Sequence, residues 1–223
     1  MALNKTAIDW PWKPLLTWNP ITGCRRNPPC PYCYARRIHE RFHPGVPFSD
    51  IVLHRDRLLD PLRHLKPCHI FVGSMSDIEF WTDEQIGEVA NTCRYLVQHD
   101  YIFLSKSAAA LDRMGEAIGN SADMHHFGAT VTGEAQHIMR DERNINFPCK
   151  YGHSFLSVEP LLGPVPITVD VERALEWVIV GAMTGPGAVV PKREWIDAIR
   201  DSVPAEKIYW KNSMRQFGVD NAG

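Results

Sequence analysis

A chain of 223 residues carrying 24 Lys and Arg against 26 Asp and Glu has a formal charge of −2 and an ordinary apolar share of 44%. That length is enough for one substantial core. The near-balance excludes a strongly basic nucleic-acid coat, though not a local basic patch. No apolar run approaches the roughly 20 residues that span a bilayer, so no membrane partner is expected.

The first residues, MALNKTAIDWPW, lack the apolar stretch of a signal peptide, which makes the cytoplasm the expected compartment. Trp10, Trp12 and Trp18 crowd into the opening eighteen positions, so this N-terminal arm is expected to pack down. Short apolar strands then alternate with helical stretches. The strands read as Leu15–Trp18, His69–Gly73, Tyr101–Leu104, Phe127–Val131, Ser154–Val158, Trp177–Val180 and Ile208–Trp210. Helices read as Tyr34–Phe42, Asp83–His99, Ala108–Ile118, a short one near Glu134–Arg140, and Lys192–Asp201. Thr82 is the expected N-cap of the second, whose Ile86, Val89, Ala90, Cys93 and Leu96–Val97 share one face.

Strands alternating with helices imply βα units and a parallel sheet. Six or seven units in this length predict an α/β fold built as a small or incomplete (βα) barrel, because a full barrel usually takes about 250 residues. A doubly wound sheet is the other arrangement open to the pattern. One domain spanning residues 1–223 is expected, since the Pro-rich connections 28–31 and 160–166 read as ordered loops. Polar or small residues follow almost every strand, and in parallel α/β folds such tips face one crevice.

The most informative stretch is Trp18-Asn-Pro-Ile-Thr-Gly-Cys24-Arg-Arg-Asn-Pro-Pro-Cys30-Pro-Tyr-Cys33-Tyr-Ala. Three thiols within ten residues lie directly after a strand and before a helix. In a reducing compartment such thiols read as metal ligands rather than disulfides. Each can bind one iron of a cubane cluster and leave the fourth iron open. Zinc held by Cys24, Cys30 and Cys33, and completed by His39, His43, Cys68 or water, fits the same spacing. A zinc-binding, non-catalytic module that recruits nucleic acid or a protein partner is therefore the alternative reading. Cys68, Cys93 and Cys149 are scattered and read as structural.

These residues resemble the phage-associated three-Cys-motif family of radical-SAM-like proteins, long carried as a domain of unknown function. The likeness runs in order through Trp18–Cys24, Cys30–Ala35, Ser74–Asp77, Leu104–Ser107, Leu156–Pro164, Trp177–Gly187 and Trp210–Asn212. It implies a [4Fe–4S] cluster on Cys24, Cys30 and Cys33 that takes one electron from an external donor. It further implies cleavage of S-adenosylmethionine to a 5′-deoxyadenosyl radical that abstracts hydrogen from substrate. Departures gather at strand tips. The first cysteine gap is five residues and Pro-rich, Gly181-Ala182-Met183-Thr184 lacks the family's carboxylate, Lys106-Ser107 stands where the family has Lys-Arg, and Lys211-Asn212-Ser213 stands where it has Lys-Gln-Trp. They point to a substrate of this member's own.

Further expectations follow from position. Ser74, Met75, Ser76 and Asp77 either hold the S-adenosylmethionine ammonium group or form an ordinary turn in which Ser76 or Asp77 caps a helix. Glu159 is either a catalytic group or an ion-pair partner. Lys106 and Lys211 close strands and either suit a carboxylate or phosphate as a binding or catalytic group or are plain surface charges. Thr130 and Thr132 are placed to reach ribose hydroxyls. His125 and His126, adjacent on a strand, point to opposite faces and read as structural. Arg25, Arg26, Arg36 and Arg37 flank the cysteine loop and would suit DNA, RNA or a nucleotide as substrate, or simply a solvated helix face.

Overall fold

The computed structural model describes residues 3–133, 150–167, 175–185 and 187–221. The expected helix near Glu134–Arg140 and Cys149 lie outside them. Among the described residues ten strands form: β1 (Asn4–Lys5), β2 (Leu15–Trp18), β3 (Ile21–Thr22), β4 (Val52–Leu53), β5 (His69–Val72), β6 (Asp100–Ser105), β7 (His126–Val131), β8 (His153–Val158), β9 (Leu175–Val180) and β10 (Ile208–Trp210). Four α-helices accompany them among those residues: α1 (Tyr34–Phe42), α2 (Asp83–Tyr95), α3 (Ala108–Ile118) and α4 (Arg193–Ser202).

Eight strands make one sheet in the order β1-β2-β5-β6-β7-β8-β9-β10. β1 pairs antiparallel with β2, and the other six pairings are parallel. Each new parallel strand is added on the same side of the last. This sequential order has no reversal point, so the doubly wound alternative does not apply. The expected α/β class with seven parallel strands is present, but the sheet is open, with β1 and β10 at its edges.

Crossovers of one hand along a sequential sheet put every helix on the same face. Ile86, Val89, Ala90 and Cys93 of α2 and Leu111 and Met114 of α3 share one core with Ile70, Val72, Phe103, Phe127, Leu156, Val158, Val178 and Val180. Strand side chains alternate between faces, so the intervening residues make a second layer. Phe71, Ile102, Phe155 and Ile179 form it, and the N-terminal arm covers it with Trp10 and Trp12. Asp9 ties the arm to the far edge by accepting from the Tyr209 hydroxyl at 2.7 Å and the Asn212 N–H at 2.5 Å. The Trp-rich arm therefore packs as expected.

Local differences from the sequence reading have plain causes. α2 begins with the expected cap, a reciprocal Thr82–Gln85 box, but stops at Tyr95, so Val97 is left exposed. His125 and His126 do face apart. The His125 ring meets Tyr101 on the helix side, while His126 meets Trp12 and bonds Glu176 at 2.8 Å. Among the described residues no helix is long and apolar enough to cross a membrane.

Candidate functional site

A crevice of about 590 Å³ opens where the seven parallel strands end. Thr17 comes from β2, Gly73–Asp77 from the turn after β5, Leu104–Lys106 from the end of β6, Thr130 from β7, Ser157 and Glu159 from the end of β8, Ala182–Thr184 from the loop after β9, and Lys211 from just past β10. Trp10 and Ile8 of the arm form part of its floor. Cys24, Cys30 and Cys33 all line it, half-buried, with Tyr32, Tyr34, Arg26 and Arg37. Of the sequence-predicted residues Thr132 is not brought there: its side chain is fully buried, and its hydroxyl lacks a hydrogen-bond partner.

One glycine fixes the cysteine loop. Gly23 has φ +100°, a left-handed conformation that side chains avoid. A Cβ there would sit 2.0 Å from the Asp50 carbonyl oxygen. Its N–H donates to the Met75 carbonyl at 3.0 Å, and its own carbonyl accepts the Ser76 hydroxyl at 2.6 Å. The cysteine loop and the Ser74–Asp77 turn, far apart in sequence, are thus stitched together. Asn19 completes the seam, its side-chain oxygen accepting from the Ser74 hydroxyl and the Met75 N–H at 3.1 and 3.0 Å.

The Ser74–Asp77 turn is largely engaged by the protein itself. The Tyr34 hydroxyl donates to the Ser74 carbonyl at 2.6 Å, and the Trp81 indole N–H donates to Ser76 at 2.8 Å. Asp77 accepts from the Glu79 N–H as the cap of a 3₁₀ turn and from the Ser105 hydroxyl at 2.6 Å. Arg26 reaches Asp77 at 3.4 Å and also pairs with Glu79. The capping alternative therefore describes Asp77, and a ligand ammonium would have to share carbonyls that already accept one bond.

The two lysines differ. Lys211 Nζ bonds Glu159 Oε1 at 2.5 Å, so that carboxylate is an ion-pair partner as well as a crevice wall. Gly181 packs against the pair, its position for a Cβ only 3.0 Å from both side chains. Lys106 Nζ is buried without a hydrogen-bond partner and lies 5.5 Å from the Tyr32 ring centre. Burial lowers the affinity of the Lys106 amine for its proton, while Cys30 and Asp77 act the other way. The Ser157 hydroxyl is also buried and unpartnered on the crevice wall. Burial pushes the Cys24 thiol up to about 11.

Among the described residues no three His, Cys, Asp or Glu side chains converge to hold one metal ion. The proposed zinc completions are elsewhere. His39 and His43 line a neighbouring groove, and Cys68 is buried beside His99, before β5 begins. A single zinc needs its donors within about 2.3 Å of one point. A cubane takes one sulfur per iron, so its three sulfurs need only face one cavity. Cys24, Cys30 and Cys33 all line the one crevice. Cys33 Sγ in addition accepts the Arg36 N–H at 3.4 Å, the kind of outer bond that steadies a metal-binding thiolate. Sequence reasoning missed Asn19, Ser105 and Ser157, whose short polar side chains carry no local signal.

One family model, described as "Protein of unknown function (DUF5131)", matches residues 5–220. No curated protein matches the chain, and no solved structure matches it.

Proposed function

We propose that this chain, which belongs to the DUF5131 family, is a [4Fe–4S]- and S-adenosylmethionine-dependent radical enzyme. The observation that carries the reading is that three cysteines of one loop line the same crevice as the ends of all seven parallel strands. Kinship with radical-SAM-like, phage-associated proteins is part of this proposal and rests on the order of the motifs. So does an incomplete (βα) barrel, supported by the sequential parallel order and by the one-sided helix layer.

Cys24, Cys30 and Cys33 would hold the cluster, and the donor chemistry fits. When bound, it would pass one electron from an external donor to the sulfonium of S-adenosylmethionine, releasing methionine and a 5′-deoxyadenosyl radical that abstracts hydrogen from substrate. The protein supplies position and dryness. Lys106, a buried ammonium without a hydrogen-bond partner, would neutralise a carboxylate brought into the crevice. The Ser157 and Thr130 hydroxyls would orient a ribose or a base edge. Tyr32, Tyr34 and Phe48 line the same crevice and would shield the cluster from solvent. Chemistry of this kind belongs in a reducing cytoplasm.

Anaerobic reconstitution with iron and sulfide tests the proposal. The expected product is a brown protein whose reduced cluster changes its paramagnetic resonance spectrum on addition of S-adenosylmethionine and forms 5′-deoxyadenosine only with reductant. Cys30→Ala should abolish both. Colourless protein with stoichiometric zinc, or a reconstituted cluster that never cleaves S-adenosylmethionine, overturns it.

A further inference from the structure

We propose that α1 and the cysteine loop are a docking surface for single-stranded nucleic acid, which crosses the helix and delivers a base into the crevice. The surface is an exception to the chain's charge. Between Cys24 and His43 stand five arginines and one glutamate, Glu40, in a protein of net charge −2. Arg25, Arg37 and Arg41 are exposed.

α1 is also unusual in what it leaves uncovered. Of its nine residues only Ala35 is buried. Tyr34, Ile38 and Phe42, spaced four apart and therefore on one face, are 44, 43 and 65% exposed. Arg37 and Arg41 precede Ile38 and Phe42 by one position, so a row of guanidinium groups runs beside the apolar row. The Arg41 guanidinium lies 5.4 Å from the Phe42 ring centre, which joins the two rows.

Placement supplies the direction. Tyr34, Arg37 and Ile38 line the crevice, while Ile38, Phe42 and Val46 line the neighbouring groove with His39, His43 and His54. The helix is a ridge between two depressions, with Ile38 on both slopes. A strand lying across it would set phosphates on the arginines and stack bases on the rings, the combination by which proteins hold single strands without reading sequence. An acidic protein would answer the charge but leave the exposed rings idle. A base passing over Tyr34 would meet the Ser157 and Thr130 hydroxyls within. What happens to that base rests on the radical reading above; the docking does not.

Fluorescence anisotropy with a labelled twelve-nucleotide single strand tests it, on the full chain with and without reconstituted cluster. Binding should weaken with salt at a log–log slope of about −2 to −3, the release expected for three to four phosphates. The double variant Arg37→Glu/Arg41→Glu should bind at least about tenfold more weakly, and Phe42→Ala about fivefold or more. Thermal unfolding of each variant should match the parent, because these side chains are exposed. Binding that is absent, unchanged in both variants, no weaker for a duplex, or matched by poly-glutamate competition overturns the proposal. Reductant-dependent cleavage of S-adenosylmethionine without strand binding would sink the docking surface alone, and binding without cleavage would sink the radical reading alone.

Discussion

Gly23 shows how much of the site hangs on one residue. With φ at +100° and the Asp50 carbonyl 2.0 Å from where a Cβ would be, alanine there forces the loop to move. Gly23→Ala should cost about 3 kcal/mol or more in urea unfolding, beyond the 1–3 typical of backbone strain alone, because a contact with backbone is added. Glu159 gives a second test. Glu159→Gln leaves Lys211 without its counter-charge in a place where that lysine is 12% exposed. As Glu159 itself is a third open to solvent, the loss should be about 1–2 kcal/mol, below that of a fully buried pair. A double-mutant cycle with Lys211→Met should show most of it as coupling. The cysteines and strand-end lysines were legible because sulfur and charge are scarce in such positions. The partnership of Lys211 with Glu159 was left among alternatives, since nothing local says which charges meet across two strands. Asn19 was invisible for the same reason: its role is to join segments that sequence keeps 55 residues apart.

At the scale of elements, periodicity located what was long and failed on what was short. Both α1 and α3 run between the predicted ends, and α2 starts at its predicted cap. Thr82→Ala should remove the reciprocal cap and lower stability by about 1 kcal/mol, measurable in chemical denaturation. The two-residue strands β3 and β4 left no alternation to read, although their pairing frames the cysteine loop. The N-terminal arm was legible through its tryptophans alone. Trp10 is buried against Phe71 and Phe155, with ring centres 4.6 and 5.8 Å away. Trp10→Ala should therefore cost about 3–5 kcal/mol and open the crevice floor to solvent, which a hydrophobic dye would register.

For the molecule as a whole, class and strand number followed from alternation, because each βα unit announces itself locally. Whether the last strand meets the first is set by cumulative twist and tilt, which no segment encodes, so the open edge was not legible. Stability toward acid is likewise a sum over the structure. Burial lowers the proton affinity of His69, His99 and His125, the last to about 4. The unfolded chain takes up these protons near pH 6.5 and the folded chain does not. Folding stability is therefore fully present above pH 6.5 and drains as pH falls toward 4, with His125 alone worth about 3 kcal/mol on this scale. Unfolding midpoints between pH 7 and 4.5 should follow that slope, and His125→Gln should flatten it.

The bond from Asp9 to the hydroxyl of Tyr209 links residues 200 apart, and its bond to Asn212 reaches further still. During synthesis the arm must wait for β10 before this bond can form. That step of assembly is non-local. A chain stalled or clipped ahead of its final strand should keep a helix layer yet lack a finished floor beneath the thiols. The latch would then act as a checkpoint on completion of the sheet.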